Sequence, residues 1–239
     1  MTQREKAETF RALHEGEPFV IPNPWDAGSA RMMEALGFKA VTTTSSGFAF
    51  TLGRLDGQVT LDELAEHVRA MAAATSLPVA VDLENGFGDA PAAITRMAEA
   101  GAVGASIEDY DHDGGLLPFD AAVERVTAAA AAARALDFPF MFVARAENHL
   151  HGVDDLDDTI GRLLAYEAAG ADCLYAPGLR TTEQIRTVCD AVTKPVNVLR
   201  LGGLPVQEIF DAGAQRVSVG GAFTWVARDA LVEAAKLLL

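Results

Sequence analysis

The 239-residue chain predicts an α/β fold, a (β/α)8 barrel making a single domain over residues 1–239. Three observations carry that expectation. Short apolar, β-prone runs alternate strictly with stretches of helical period, eight of each, and strict alternation makes a parallel sheet. Eight repeats in this length favour a closed barrel over an open doubly wound sheet, because such barrels use about 200–250 residues as one domain. The polar and acidic residues gather where the apolar runs end, the edge at which parallel α/β proteins keep their chemistry.

The strand runs are residues 19–22, 40–44, 79–82, 105–108, 140–145, 173–176, 196–199 and 217–220. The helical stretches are 27–36, 61–75, 92–100, 120–136, 156–169, 182–192, 206–212 and 224–238. Gly37, Gly101, Gly170 and Gly213 each follow an Ala- or Leu-rich helix end and precede a strand, where a helix C-terminus commonly turns left-handed. The Ala-rich run 127–135 reads as good helix, and no linker or low-complexity stretch divides the chain.

Composition removes several classes of function. Half the residues are hydrophobic and the mean hydropathy is +0.15, ample for one well-cored domain. A formal charge of −15 and a pI near 4.6 argue against nucleic acid and anionic membrane as partners. Cys173 and Cys189 have no metal spacing and read as reduced thiols of a cytoplasmic protein. The charged start Met1-Thr2-Gln3-Arg4-Glu5-Lys6 shows no signal peptide, and no apolar run reaches the length of a membrane span.

The third run leads from Val79 through Asp82 and Glu84 to Gly86 and Gly88. Residues two apart share a face of a strand, so Asp82 and Glu84 would point together if the strand continued through them. Close carboxylates repel unless a cation sits between them, and an all-oxygen set suits Mg²⁺ or Mn²⁺. The other reading is a strand end followed by a polar turn.

The remaining strand ends supply Asn23-Pro24-Trp25-Asp26; then Thr44-Ser45-Ser46-Gly47 with the loop Gly53-Arg54-Leu55-Asp56-Gly57; then Glu108-Asp109; Arg145, Glu147 and Asn148; Tyr175-Ala176-Pro177-Gly178; Asn197 and Arg200; and Gly220-Gly221. Acids thus crowd strands three and four with Asp56 nearby, and an arginine faces them from strand five. Arg145 either forks a ligand carboxylate or neutralises Glu147 or Glu108. Ser45, Ser46 and Gly47 either offer hydroxyl and N–H donors to an anion or simply end a strand. His149 and His151 read as exposed loop residues rather than a metal pair, and His112 as part of an acidic surface loop. Gly202-Gly203 and Gly220-Gly221 are phosphate loops or tight turns.

These residues resemble a known superfamily. Val81-Asp82-Leu83-Glu84-Asn85-Gly86-Phe87-Gly88, Ser106-Ile107-Glu108-Asp109, Leu52-Gly53-Arg54-Leu55-Asp56-Gly57 and Ala144-Arg145-Ala146-Glu147 are similar, in order, to motifs of the isocitrate lyase/phosphoenolpyruvate mutase superfamily. The resemblance implies a Mg²⁺-dependent barrel acting on small 2-oxo or 2-hydroxy acids, with Mn²⁺ as a substitute ion. It implies Asp82 as direct metal ligand, with Asp56, Glu84 and Glu108 reaching the ion largely through water. It also implies Ser45, Ser46, Gly47 and Arg145 as substrate contacts, to which the strand-end reading adds Trp25, Glu147 and Asn197. Asp56, Glu108, Arg145 and Tyr110 are the catalytic candidates.

The departures are as informative. Glu84 stands where the family usually has Asp. The lyases of the family carry a Lys-Lys-Cys-Gly-His loop after strand four, its cysteine the catalytic acid; here Tyr110 to Leu117 contains neither Cys nor Lys. The lysines and asparagine of the mutase's gating loop are missing as well. The general acid stays open among Tyr110, His112, Tyr175 and water. The expected function is a lyase that cleaves or decarboxylates a small 2-oxo or 2-hydroxy acid through a metal-stabilised enolate. The alternatives are a phosphonopyruvate-type mutase or hydrolase, and a non-catalytic barrel that binds 2-oxo acids.

Assembly is the last expectation. Trp225, Val226, Leu231, Val232, Leu237, Leu238 and Leu239 cannot share one stripe at a period of 3.6, so the final helix is expected to bury a second face. The superfamily builds homodimers and homotetramers by swapping a helix near the C-terminus. The alternative is that the helix packs on its own barrel.

Overall fold

The computed structural model describes residues 1–239. In chain order the elements are α1 (Gln3–Glu15), β1 (Phe19–Ile21), α2 (Ala27–Ala35), β2 (Val41–Thr42), α3 (Ser45–Thr51), α4 (Leu61–Ala74), β3 (Val79–Asp82), α5 (Ala90–Glu99), β4 (Gly104–Glu108), β5 (Tyr110–Asp111), β6 (Gly115–Leu116), α6 (Phe119–Ala135), β7 (Met141–Arg145), α7 (Leu156–Ala168), β8 (Cys173–Tyr175), α8 (Thr182–Ala191), β9 (Val196–Leu199), α9 (Val206–Asp211), β10 (Arg216–Ser218) and α10 (Ala222–Lys236). Eight strands form one parallel sheet in the order β1-β10-β9-β8-β7-β4-β3-β2, and β5 and β6 make a separate hairpin. The expected (β/α)8 architecture is what the chain adopts.

The seam between β1 and β2 nearly closes the barrel. Thr42 N–H donates to the Pro22 carbonyl at 3.0 Å. Pro22 has no N–H to return, and the Asn23 side chain takes over the bonding. Its Nδ2 donates to Thr43 O at 2.8 Å, and its Oδ1 accepts from the N–H groups of Val219 (2.9 Å) and Gly220 (3.0 Å). One amide therefore ties β1, β2 and β10 together at the site end of the barrel.

Three elements lie outside the sequence expectation: α1, α3 and the β5–β6 hairpin. The charged opening of the chain hides α1, whose buried residues Lys6, Ala7, Phe10 and His14 still keep helical spacing. A capping box between Thr2 and Glu5 starts it. Ala7 and Phe10 pack with Phe19, Ile21, Ala40, Ala80, Val103 and Met141, so α1 plugs the N-terminal mouth. Gly104 permits the approach, since a Cβ there would stand 2.9 Å from Phe10 Cε1 and 2.7 Å from Met141 O. The larger apolar layer joins strands to outer helices; there Ala122, Ala129 and Ala133 of α6 are fully or almost fully buried, and small side chains let that helix lie close.

Strand registry sets the depth of each inward side chain. Glu108 pairs with Arg145, Arg145 with Tyr175, Tyr175 with Asn197, Asn197 with Arg216, and Arg216 with Phe19. Glu108, Arg145 and Tyr175 end their strands, whereas Arg216 and Phe19 begin theirs. The row therefore descends from rim to floor, as the stagger of a closed barrel requires.

At the floor the buried His14 Nε2 lies 3.1 Å from Arg216 Nη1, and its Nδ1 lies 2.8 Å from Phe10 O. Arginine has no acceptor, so Nε2 must accept and Nδ1–H must donate to Phe10. A second proton would face the guanidinium. Burial, and then Arg216, push the His14 pKa down from 6.5 to about 3. The folded state thus binds fewer protons than the unfolded chain between those values, and stability falls as pH drops through that window. The His14 contribution approaches about 1.4 kcal/mol per pH unit there. Urea denaturation of the parent and of His14→Gln from pH 7 to pH 4 should show the parent losing stability more steeply; parallel curves would remove His14 as the cause.

From Val226 to Leu239 every residue is exposed, so α10 leaves its own barrel beyond Trp225. Val226 and Leu231 are 67% and 69% exposed. The alternative that this helix packs along its own barrel does not hold for that part. No helix is long and apolar enough to cross a membrane, and both cysteines are free.

Candidate active site

The C-terminal ends of the strands surround a cavity of about 170 Å³ lined mostly by polar residues. Arg145 is its hub. Nη1 contacts Asp82 Oδ1 at 2.8 Å, Nη2 contacts Glu108 Oε2 at 3.1 Å, and Nε donates to Glu147 Oε1 at 2.7 Å. Burial opposes its charge, but Glu147, Glu108 and Asp82 more than offset that and raise its pKa. Tyr175 lies under it, its ring centre 5.2 Å from the guanidinium carbon. Of the two sequence readings of Arg145, the pairing with Glu147 and Glu108 is present in the structure.

One arginine does not balance the acids around it. Burial, and then Asp82 and Asp56, push Glu84 up to about 8. Burial raises Glu108 well above the carboxylate range in spite of Arg145. Asp56 belongs to an exposed loop but turns its carboxyl to the cavity wall, and burial and Asp82 raise it too. Only Glu147, against the pull of burial, is held below the usual range by Arg145. The alternation expected for Asp82 and Glu84 does not occur. β3 ends at Asp82, and Glu84 takes a left-handed backbone, φ 46°, that returns its carboxylate to the site. That conformation costs about 1 kcal/mol or more and persists only where surroundings impose it.

No group of three His, Cys, Asp or Glu side chains is arranged to enclose a metal ion, because the Arg145 guanidinium lies between Asp82 and Glu108. Mg²⁺ does not need three such ligands, since it usually keeps several waters and takes one or two carboxylates directly. The donor chemistry fits: all oxygen, more acids than cations, and carboxyls whose pKa values burial and the neighbouring acids raise.

The other expected residues divide into those that reach the cavity and those that do not. Ser45, Ser46 and Asn197 line it. Ser45 N–H lies 3.3 Å from Asp82 Oδ2, at the start of α3, which Thr44 caps. Gly47 does not line the cavity; its N–H is bonded to Thr44 Oγ1 and a Cβ there would stand 2.6 Å from Thr224 Oγ1, so glycine is what lets α3 pack on α10. Trp25 flanks Gly47 and is half-buried, outside the lining. Tyr110 also lies outside, in the hairpin, stacked on the His151 ring at 3.4 Å. Glu147 is buried behind Arg145; its Oε2 has no hydrogen-bond partner and stands 3.6 Å from His151 Nε2. His149 corrects the expectation of an exposed loop residue: its imidazole is 3% exposed and bonded to Asp154 at 3.0 Å. His112 is exposed as expected, although it lies 3.8 Å from Glu84 Oε2.

Sequence reasoning missed the support behind Arg145. Asp109 turns away from the cavity and accepts from Tyr166 Oη (2.5 Å), Glu147 N–H (2.8 Å) and Arg162 Nη1 (3.0 Å). Arg162 also holds Asp158 at 2.7 Å, which in turn accepts from Asn148 at 2.6 Å. The i,i+4 spacing of Asp158 and Arg162 was the available signal, and it looks the same as an ordinary surface pair on a helix. Asp109→Asn leaves part of the buried Arg162 charge unpaired and should cost about 3 kcal/mol of stability by chemical denaturation; an unchanged midpoint would show that the network adds nothing.

Carboxylates crowd one arginine at the C-terminal mouth of a parallel barrel. Residues 10–239 match the family model described as phosphoenolpyruvate phosphomutase, and the chain belongs to that family, within the isocitrate lyase/phosphoenolpyruvate mutase superfamily of lyases and mutases. It is 34% identical over 259 residues to the oxaloacetate decarboxylase of Bradyrhizobium sp. (strain BTAi1 / ATCC BAA-1182), across all of this chain and 86% of that protein. A crystal structure from Burkholderia cenocepacia J2315, described as a lyase/mutase, is 51% identical with a TM-score of 0.94, covering 98% of this chain and 87% of that one. A second from the same organism, described as a phosphonomutase, is 35% identical with a TM-score of 0.92, covering 98% and 99%.

Proposed function

We propose that this protein is a divalent-metal-dependent carbon–carbon lyase that cleaves or decarboxylates a small 2-oxo or 2-hydroxy acid of the oxaloacetate type. The observation that carries the reading is an excess of carboxylates: Asp56 and Asp82 line the polar cavity, Glu108 meets Arg145 beside Asp82, and Glu84 lies close to Asp82 and Asp56. Asp82 would hold Mg²⁺ or Mn²⁺ directly, and Asp56, Glu84 and Glu108 would steady its waters. When bound, the ion supplies Lewis-acid stabilisation of the negative charge that develops on a substrate oxygen as the bond at C3 breaks.

The chain's own groups do the rest. Arg145 sets the positions of Asp82 and Glu108, and its planar fork is the group that would hold the substrate carboxylate. Ser45 and Ser46 offer further donors from the cavity wall. Tyr175 Oη holds its proton, since burial pushes its pKa up to about 12, and Tyr175 lines the cavity where Tyr110 and His112 do not. Tyr175 is therefore the better candidate proton donor.

The purified chain with Mg²⁺ should release pyruvate and carbon dioxide from oxaloacetate, and chelation should stop it. Asp82→Ala removes several kcal/mol of charge stabilisation and should lower kcat/KM about 100-fold or more. Calorimetry showing undiminished Mg²⁺ binding in that variant would end the metal assignment. A second reading, a phosphonopyruvate-type mutase or hydrolase, draws on the likeness to the Burkholderia phosphonomutase; turnover of phosphonopyruvate instead of oxaloacetate would select it. Mg²⁺-dependent ligand stabilisation without any turnover would select a binding barrel.

The same proposal includes assembly as a homodimer or homotetramer, because the apolar residues of α10 beyond Trp225 meet nothing in their own subunit. Sedimentation should give a multiple of 25.2 kDa, and deleting residues 231–239 should dissociate it. A parent that sediments as a monomer at micromolar concentration would exclude the arrangement.

A further inference from the structure

We infer that Arg216 is an anion-binding residue on the cavity floor, placed to take a second anionic group of the ligand, carboxylate or phosphonate. It would discriminate ligands charged at both ends from those charged at one. The inference rests on the proposed reading only for what occupies the rim.

Arg216 is 4% exposed and lines the cavity. Its Nε donates to Asn197 Oδ1 at 2.8 Å and its Nη1 lies 3.1 Å from His14 Nε2. Both partners are neutral. Asn197 is itself oriented by a bond from Nδ2 to Ser218 Oγ at 3.0 Å, and the buried His14 can only accept. These contacts hold the guanidinium in place without cancelling its charge. The other buried arginines differ: Arg145 meets three carboxylates and Arg162 meets Asp109 and Asp158, whereas Arg216 has no carboxylate within ion-pair distance. A buried cation left in that state is unfavourable unless an anion reaches it.

The donor count points the same way. Arginine carries five N–H groups in one plane, and the two contacts use two of them. Three remain on the adjacent Nη1 and Nη2, and Nη2 donates to no protein atom. Two neighbouring nitrogens with free N–H groups match the oxygens of a carboxylate or phosphonate. The descending row from Arg145 through Tyr175 and Asn197 puts this fork at the other end of the same cavity from the acids. Arg145 is matched by three carboxylates; Arg216 meets none.

The test compares the full-length parent with Arg216→Gln and Arg216→Lys, in Mg²⁺ buffer, by calorimetry with succinate, 3-phosphonopropanoate and pyruvate. Arg216→Gln should weaken succinate at least tenfold and pyruvate less than twofold, and Arg216→Lys should fall between parent and Gln variant. An equal loss for 3-phosphonopropanoate means the floor accepts either anion; no loss for it confines the floor to carboxylates. If Arg216→Gln does not fold, the same selectivity must appear in Arg216→Lys at threefold or more. Equal weakening of succinate and pyruvate, an unchanged succinate Kd, or no succinate binding by the parent would overturn the inference. Oxaloacetate turnover measured alongside separates the two ideas. Arg216-dependent succinate binding without turnover retires the lyase reading alone, and turnover with an unchanged KM in Arg216→Gln retires this inference alone.

Discussion

The arrangement at the rim depends on one interaction, the contact of a single guanidinium with three carboxylates. Arg145 joins the ends of β3 and β4 and the segment after β7 through Asp82, Glu108 and Glu147. Its planar fork reaches three directions at once, which an ammonium on a flexible stem would not do with the same order. It still leaves the site short of positive charge, and the raised proton affinities of Glu84, Glu108 and Asp56 measure the shortfall. A site in that condition favours whatever brings a compact positive charge.

The hub is rigid because a second layer holds it. Asp109 follows Glu108 directly and faces the opposite way, into the space between sheet and helices, where it fixes the Glu147 backbone and pairs with Arg162 of α7. The last residue of β4 and the residue that follows it thus serve Arg145 and its support from opposite sides. Asn23 does comparable work at the seam, replacing the donor that Pro22 lacks.

The floor is built on different terms. Helix α1 closes the N-terminal mouth with Ala7 and Phe10 and brings His14 up beneath Arg216. The result is a cavity with surplus acid at the rim and, at the base, an arginine that meets no carboxylate.

How much of this was legible in the chain follows from what each feature depends on. The barrel was, because eight apolar runs and eight helical periods are local patterns, and so were the acids at strand ends, because a strand's last residues are read along the chain. Asp82, Arg145, Ser45, Ser46 and Asn197 all reach the cavity that those ends enclose. Helix α1 was not legible, since its apolar residues are few and its partner is the barrel mouth, a surface that exists only after closure. Glu84 comes near Asp82 and Asp56 by a route that alternation does not describe, because a left-handed turn carries it there. Gly47 was named from the strand end and the family resemblance, and Trp25 and Tyr110 from their places beside strand ends, yet all three lie outside the cavity lining. Arg216 looked like any residue at a strand start. Its depth is decided by the stagger of eight strands round the barrel, and its lack of a carboxylate by what α1 and β9 place beside it. The sequence by itself determined the fold class and the acids; the tertiary structure decided which charges meet, because registry and closure are sums over the whole chain that no single segment contains.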